Sequence, residues 1–396
     1  MTRASSNHLP RGFWTYLAGM AGMSLGDALL SLAMPFLALR LSTVPDERAV
    51  ALVFLAGSLP RFAAPLLGSV ADRLTPRAAI GVASGLRAAA VLSVAGLALA
   101  GMLPYWGLLA LAAANALLNT LIFAAGSALV PRLVPDELLA RANALNSGVM
   151  MGLPLVGLGL GGVLLGLLTP ASVYLCAVPL LALAPLAAFF LPKLAAAEAG
   201  KASVLGLWHD LRHGLRTIFG QTFLTASFGF SFGLNIGLNV MNARAPLALR
   251  GAGGDIHAYV VFEVLVAGSI LAGITWASRG RSVPQLHRFA VLGAALVTLG
   301  LLPMLSAAAE AWWAGAVCFG VGLGLVSVAT TTRSQQLVPT AERGRTMGAL
   351  IGLNALGLTL GAALAASALS TPTLMLGLAL GLGAAAWTLA RAVQAG

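Results

Sequence analysis

Charge is scarce in this chain. Only 9% of its 396 residues are charged while 59% are hydrophobic, and just two, Lys193 and Lys201, are lysines. A soluble domain carries about a quarter charged residues, so the composition excludes an ordinary water-soluble enzyme and a disordered chain alike. A mean hydropathy of +0.92 places the chain in a bilayer. Cysteine is almost missing as well. Cys176 and Cys318 stand alone in separate apolar runs, which leaves neither a disulfide framework nor a metal site to build. The five histidines (His8, His209, His213, His257 and His287) sit near the ends of apolar runs or between them and form no ligand cluster. No metal, cofactor or catalytic constellation emerges, and no nucleotide-hydrolysing motif is present. Two short matches mislead. GFSFG at 229–233 fits G-x-S-x-G but lies inside an apolar run, where a strand-to-helix nucleophile turn has no place. GLGLGG at 157–162 fits G-x-G-x-x-G without the strand before it or the acid after it, and its glycines read as close helix packing.

What the chain has instead is long apolar runs. A membrane helix needs roughly 20 apolar residues. Twelve stretches qualify: 12–39, 50–70, 78–100, 105–128, 144–168, 172–191, 217–242, 258–277, 286–304, 312–332, 346–368 and 373–391. The first is too long for a signal peptide and lacks a small-residue cleavage site, so it reads as a retained helix.

The net charge of +11 invites a nucleic-acid reading, which its placement refuses. With the amino terminus inside, only Arg40, Arg48, Arg244 and Arg250 of the 23 Lys and Arg fall on outer loops. Arg61 and Arg87 lie within spans and the remainder fall on the cytoplasmic side. That asymmetry is the positive-inside rule, with both termini cytoplasmic in the inner (plasma) membrane.

The chain also repeats itself. Leu133, Val134 and Pro135 recur as Leu337, Val338 and Pro339, and at the same offset Arg141, Gly148 and Gly157 recur as Arg345, Gly352 and Gly361. FLALR at 36–40 and PLALR at 246–250 end the first and seventh spans. Two halves of like orientation are expected: an amino-terminal six-helix bundle over 1–192, a polar cytoplasmic linker over 193–216 and a carboxy-terminal six-helix bundle over 217–396.

Between the second and third spans runs GSVADRLTPR. Gly68 would let two helices approach closely, Asp72 offers a carboxylate to a helix end or a neighbouring arginine, and Arg73 and Arg77 hold the loop in the cytoplasm. An ordinary stop-transfer loop would need no more than the arginines. The spacing G-x-x-x-D-R-x-x-x-R resembles the loop between helices 2 and 3 of the major facilitator superfamily, a latch that makes and breaks as two bundles rock. Its second copy, GITWASRGR, keeps Arg279 and Arg281 and has no acid. GMSLGDALLSLAMPFLAL, LPRFAAPLLGSVADRL, GLRAAAVL and LVPDELLARANALNSG are similar to the branch holding macrolide-efflux and enterobactin-type siderophore exporters. The resemblance covers most of the first half and, more weakly, helices 10 and 11. It implies an all-α integral membrane protein with twelve transmembrane helices in two six-helix bundles, working as a monomer. The implied activity is alternating-access, proton-coupled export of a small amphipathic organic molecule such as a drug, siderophore or secondary metabolite. In helix 5, Gly148, Gly157, Gly161 and Gly166 keep the spacing of that branch's antiporter motif, while Gly162 replaces its proline.

Few polar groups are left inside the spans, and these are the candidate sites. Asp27, Arg61 and Arg87 fall near the middles of the first three spans, at about one depth. An ionised group at that depth costs about 2.5–3.5 kcal/mol unless it pairs or meets water. Asp27 pairing with Arg87 is expected, leaving Arg61 to face substrate. Such a pair either fixes helix packing or exchanges partner and proton during transport. Glu263, the one acid within the second half's spans, is the other proton-coupling candidate, about 6 Å outward of the midplane of helix 8. It could alternatively pair with Arg244. Ser24, Asp27 and Ser31 on helix 1, Asn115 and Asn119 on helix 4, and Asn235, Asn239 and Asn242 on helix 7 form polar stripes at helical spacing. Helices 1, 4 and 7 line the cavity in the resembled fold, so the stripes would meet substrate; interhelical hydrogen bonding is the other use for them. An importer or metal carrier on the same fold, and a transporter-fold receptor or lipid-handling protein that does not pump, are the competing readings.

Overall fold

The computed structural model describes residues 8–63, 74–192, 194, 204–251, 256–280, 282–339 and 343–394. Among them lie thirteen α-helices and no strand. They are α1 (Arg11–Leu41), α2 (Asp46–Ser58), α3 (Pro76–Leu99), α4 (Tyr105–Leu133), α5 (Asp136–Leu167), α6 (Pro170–Phe190), α7 (Val204–Phe219), α8 (Thr222–Gly251), α9 (Ile256–Ala277), α10 (Val283–Gly300), α11 (Ala309–Leu337), α12 (Arg343–Ala365) and α13 (Thr371–Gln394). Ten helices of the described residues are long and apolar enough to cross a membrane, against the twelve spans expected. The second expected span, 50–70, is represented by α2 and a 3₁₀ turn, Leu59–Ala63, and its remainder lies outside the described residues. The eleventh, 346–368, is α12, whose apolar part Gly352–Ala365 is a shorter helix. Most of α7 falls in the stretch 193–216 expected to serve as a linker.

Local sequence explains the helix boundaries. Thr75 and Thr169 each accept a hydrogen bond from the backbone N–H three residues on, and each is followed by a proline at the first helical position. A capping hydroxyl and a proline whose missing N–H is no loss there start α3 and α6 alike. Pro35, Pro131, Pro154, Pro179, Pro185 and Pro246 lie inside helices. Membrane helices tolerate such interruptions because neighbouring helices cover the freed carbonyls.

The helices fall into two compact units. The first holds α1, the 3₁₀ turn and α3 to α6; the second holds α2 and α7 to α13. In the first, α1 packs on α5 and α6, and α3 packs on α4 and α6. Phe13, Tyr16 and Met20 of α1, Ile80 and Ala83 of α3, Ile122 and Leu129 of α4, and Ala184 and Ala188 of α6 build its core. In the second, α8 packs on α12 and α13, α11 on α9 and α10, and α2 against α8 and α12. Residues 46–58 thus belong to the second unit although they fall early in the chain.

Glycine sets these contacts. A Cβ on Gly22 of α1 would come within 2.5 Å of the Leu180 carbonyl oxygen on α6, and one on Gly273 of α9 within 2.3 Å of Val321 O on α11. Lipid tails are as apolar as leucine, so close packing of backbones is a main source of helix association in a membrane.

The repeat has a structural counterpart. Gly157 of α5 lies against Leu25 and Ala28 of α1, and its repeat mate Gly361 of α12 lies against Ile236 and Asn239 of α8. Each glycine meets two residues three apart on the equivalent helix. The other repeat pair, Gly148 and Gly352, has nothing within 4 Å of a would-be Cβ. Gly361→Ala, whose Cβ would come within 2.4 Å of Ile236 O, should therefore lower stability by about 1–3 kcal/mol. Gly352→Ala should be neutral or slightly stabilising, since alanine is the better helix former. Thermal unfolding of the purified protein in detergent reads both.

Candidate functional site

Asp27 and Arg87 meet. The Asp27 carboxylate on α1 forms an ion pair with Nη2 of Arg87 on α3, and Arg87 Nε donates to Oδ1 of Asn115 on α4. The expected pair is thus joined by Asn115, which the sequence offered separately as part of a polar stripe. The burial is uneven: the Arg87 side chain is 1% exposed and the Asp27 side chain 34%. The cation is sealed behind its partners, and the carboxylate is the face of the pair that reaches open space. Small residues make room for α5 beside this segment of α1. Gly157 and Gly161 lie against Leu25, Ala28, Leu29 and Leu32, on either side of Asp27 in sequence.

The rest of the first unit's polar residues divide. Ser24 is buried, its hydroxyl 3.6 Å from the Met150 sulfur of α5. Ser31 bonds the Ala28 carbonyl of its own helix, and Asn119 is exposed. The Arg61 backbone lies in the 3₁₀ turn, and its side chain is outside the described residues, as are Gly68, Asp72 and Arg73 of the expected latch. Arg77, the latch residue that is described, donates from Nη1 to the Leu191 carbonyl at 3.3 Å, where α6 ends.

In the second unit the asparagine stripe is tied into helix packing. Asn235 Nδ2 donates to Ser231 O at 2.8 Å, Ser231 Oγ to Asn354 Oδ1 of α12 at 3.2 Å, and buried Asn239 to the Leu358 carbonyl of α12. Of the two uses expected for these asparagines, interhelical bonding is the one seen at Asn239; Asn235 and Asn242 are half-buried. Glu263 is bonded by the hydroxyl of Tyr259, one turn earlier on α9. Arg244 goes elsewhere. Fully buried, it pairs through Nη1 with Glu47 of α2 at 3.1 Å and donates through Nη2 to Ser367 O at 3.0 Å and Leu369 O at 3.1 Å. The alternative Glu263–Arg244 pairing is replaced by this clasp, which ties α2 to α8 and to the segment between α12 and α13.

Sequence reasoning missed Glu47, Asn354, Met150 and Tyr259. Asn354 carried a signal, a polar residue at mid-run. Glu47 carried none, because it precedes the apolar run and looked like a loop residue.

Removing one partner of a buried ion pair strands the other charge, at a cost of about 3–5 kcal/mol. Arg87→Ala should therefore destabilise the protein markedly in detergent, and adding Asp27→Asn should recover part of the loss. A double mutant no more stable than Arg87→Ala would show that the pair contributes through packing alone.

The comparisons with known proteins agree with this architecture. The protein-family model described as Major Facilitator Superfamily matches residues 16–362. Among solved structures, the chain is similar to the crystal structure of a point mutant of the nucleoside transporter NupG, with a TM-score of 0.73 at 14% identity over 96% of this chain and 99% of that one. No curated protein sequence matches. At that identity the likeness speaks for the fold and leaves the cargo open. The family match spans most of the chain, and with it the long apolar helices and repeated halves find one explanation: the protein is a multi-pass membrane transporter belonging to the Major Facilitator Superfamily.

Proposed function

We propose that this transporter is a proton-coupled exporter of a small amphipathic organic molecule, working by alternating access as a monomer in the inner membrane with both termini cytoplasmic. The halves 1–192 and 217–396, joined through 193–216, act as the two rocking bundles, with residues 42–58 of the first half packed in the second unit. It is a transporter and not an enzyme. The observation that carries the proposal is the uneven burial of the Asp27–Arg87 pair. A carboxylate that reaches open space can exchange a proton with it, and while it is neutral the sealed guanidinium keeps its bond to Asn115 and draws the carboxylate back to its ionised form. Export draws its support from the helix 5 glycines Gly148, Gly157, Gly161 and Gly166, whose spacing resembles the antiporter motif of the exporter branch, with Gly162 in place of its proline. Glu263, held by Tyr259, is the second proton site. Arg61, Arg87, Ser24, Ser31, Asn115, Asn119, Asn235, Asn239 and Asn242 remain the candidate cavity residues. Of these, Arg87, Ser24 and Asn239 act by holding others in place, because they are buried. Gly68, Asp72, Arg73 and Arg77 form the latch.

Sealed vesicles of the purified protein test the direction and the coupling together. An acid interior should drive uptake of a fluorescent amphipathic dye against its gradient, because protons leaving pull cargo in. Accumulation only with an acid exterior would mean symport, and none under either gradient would mean a receptor or lipid-handling protein. Asp27→Asn or Glu263→Gln, whichever removes the true carrier, should abolish gradient-driven accumulation and preserve equilibrium exchange of dye. Full accumulation in the double variant would exclude both residues as carriers.

For the latch, Asp72→Asn should slow turnover with dye affinity nearly unchanged. A collapse of affinity with turnover intact would place Asp72 in binding instead.

A further inference from the structure

Arg77 stands in an unusual position for a cation. It occupies the first turn of α3, where the backbone N–H groups already point positive charge outward. One of its donors serves the end of α6 through Leu191 O. Beside it opens a cavity of about 490 Å³ between the start of α3 and the end of α6, within the first unit. That size falls in the range of roughly 300–1,000 Å³ occupied by small-molecule sites. Its walls are graded. Thr75 and Arg77 line one end, and Gly81, Val82, Pro185, Ala188 and Phe189 continue it as a purely apolar trough. The trough exists because the facing positions are small: a Cβ on Gly81 would already lie 3.2 Å from that of Ala188. Val82 is 61% exposed and Phe189 69%, so two of its apolar walls look outward from the bundle, toward hydrocarbon in a membrane protein.

A ligand that fits has an anionic head for the guanidinium and a long apolar tail for the trough. We propose that this groove is a binding site for an anionic phospholipid, with its phosphate at Arg77 and Thr75 and an acyl chain along Gly81, Val82 and Phe189. The charge distribution that orients the chain puts this end at the cytoplasmic leaflet, the surface where acidic lipids draw basic residues. The lipid's phosphate would also meet the N-terminus of α3, which favours anions. The inference concerns the lipid-facing side of the first unit and does not depend on the cargo or the coupling ion.

Native mass spectrometry of the protein in detergent tests it, with dioleoylphosphatidylglycerol as the probe and dioleoylphosphatidylcholine as its uncharged-headgroup comparison. Wild type should retain the acidic lipid in preference to the neutral one. Arg77→Gln should weaken that binding about fivefold, the change equivalent to roughly 1 kcal/mol per basic residue at a charged lipid surface. Val82→Trp, which fills the trough from an outward-facing position and leaves the guanidinium in place, should weaken it too. Equal retention of the two lipids by wild type, or wild-type retention of phosphatidylglycerol by either variant, overturns the proposal. Displacement of the bound lipid by inorganic phosphate alone would overturn it as well, by making the site one for a free anion.

Discussion

Close approach of helix backbones is the constraint on which this structure rests. Within a bilayer, burying one more leucine gains little, because the lipid offers the same surroundings. Helices must then be held by contact between backbones, and contact at that range demands that no side chain intervene. Gly22 against the Leu180 carbonyl, Gly273 against Val321 and Gly361 against Ile236 all lie where a methyl group would collide with main-chain atoms. The two units use this device in the same way at Gly157 and Gly361, each of which seats the fifth helix of its half on the first. A tight, glycine-lined seam fixes where the polar groups of α1 and α8 can reach.

Two buried arginines occupy the space so defined, and they do different work. Arg87 is held by a carboxylate from α1 and an amide from α4, so three helices of one unit meet at a single guanidinium. Its carboxylate partner is partly open, at 34% exposure against 1% for the guanidinium. Arg244 is held by two backbone carbonyls and by Glu47, whose side chain is 50% exposed. Five fixed donors suit arginine to this bracing of several elements at once. The clasp adds to the packing that places α2 in the second unit, where its buried face of Ala49, Val50, Ala51 and Val53 lies on the element that meets α8 and α12.

The sequence by itself determined the membrane class, the repeat and the family, because these depend on composition and spacing, which are linear properties. Scarce charge, long apolar runs, the GSVADRLTPR loop and the shared register of Pro135 with Pro339 needed no folding to be read. That Asp27 needs a cation was also legible, since a lone charge at mid-span is costly, but depth alone offered both Arg61 and Arg87 as its partner. Only the tertiary structure decided the rest. It decided that Arg244 takes Glu47 and two carbonyls in place of Glu263, because partner choice depends on which helix faces lie together. It decided that Asn115 supports Arg87 while Asn239 bonds the Leu358 carbonyl, although both were equivalent polar residues on a helical stripe. It decided as well that Gly157 is packed and Gly148 open, within one run of regularly spaced glycines. Spacing puts residues on a face, but what that face meets is settled by the three-dimensional packing of helices far apart in the chain.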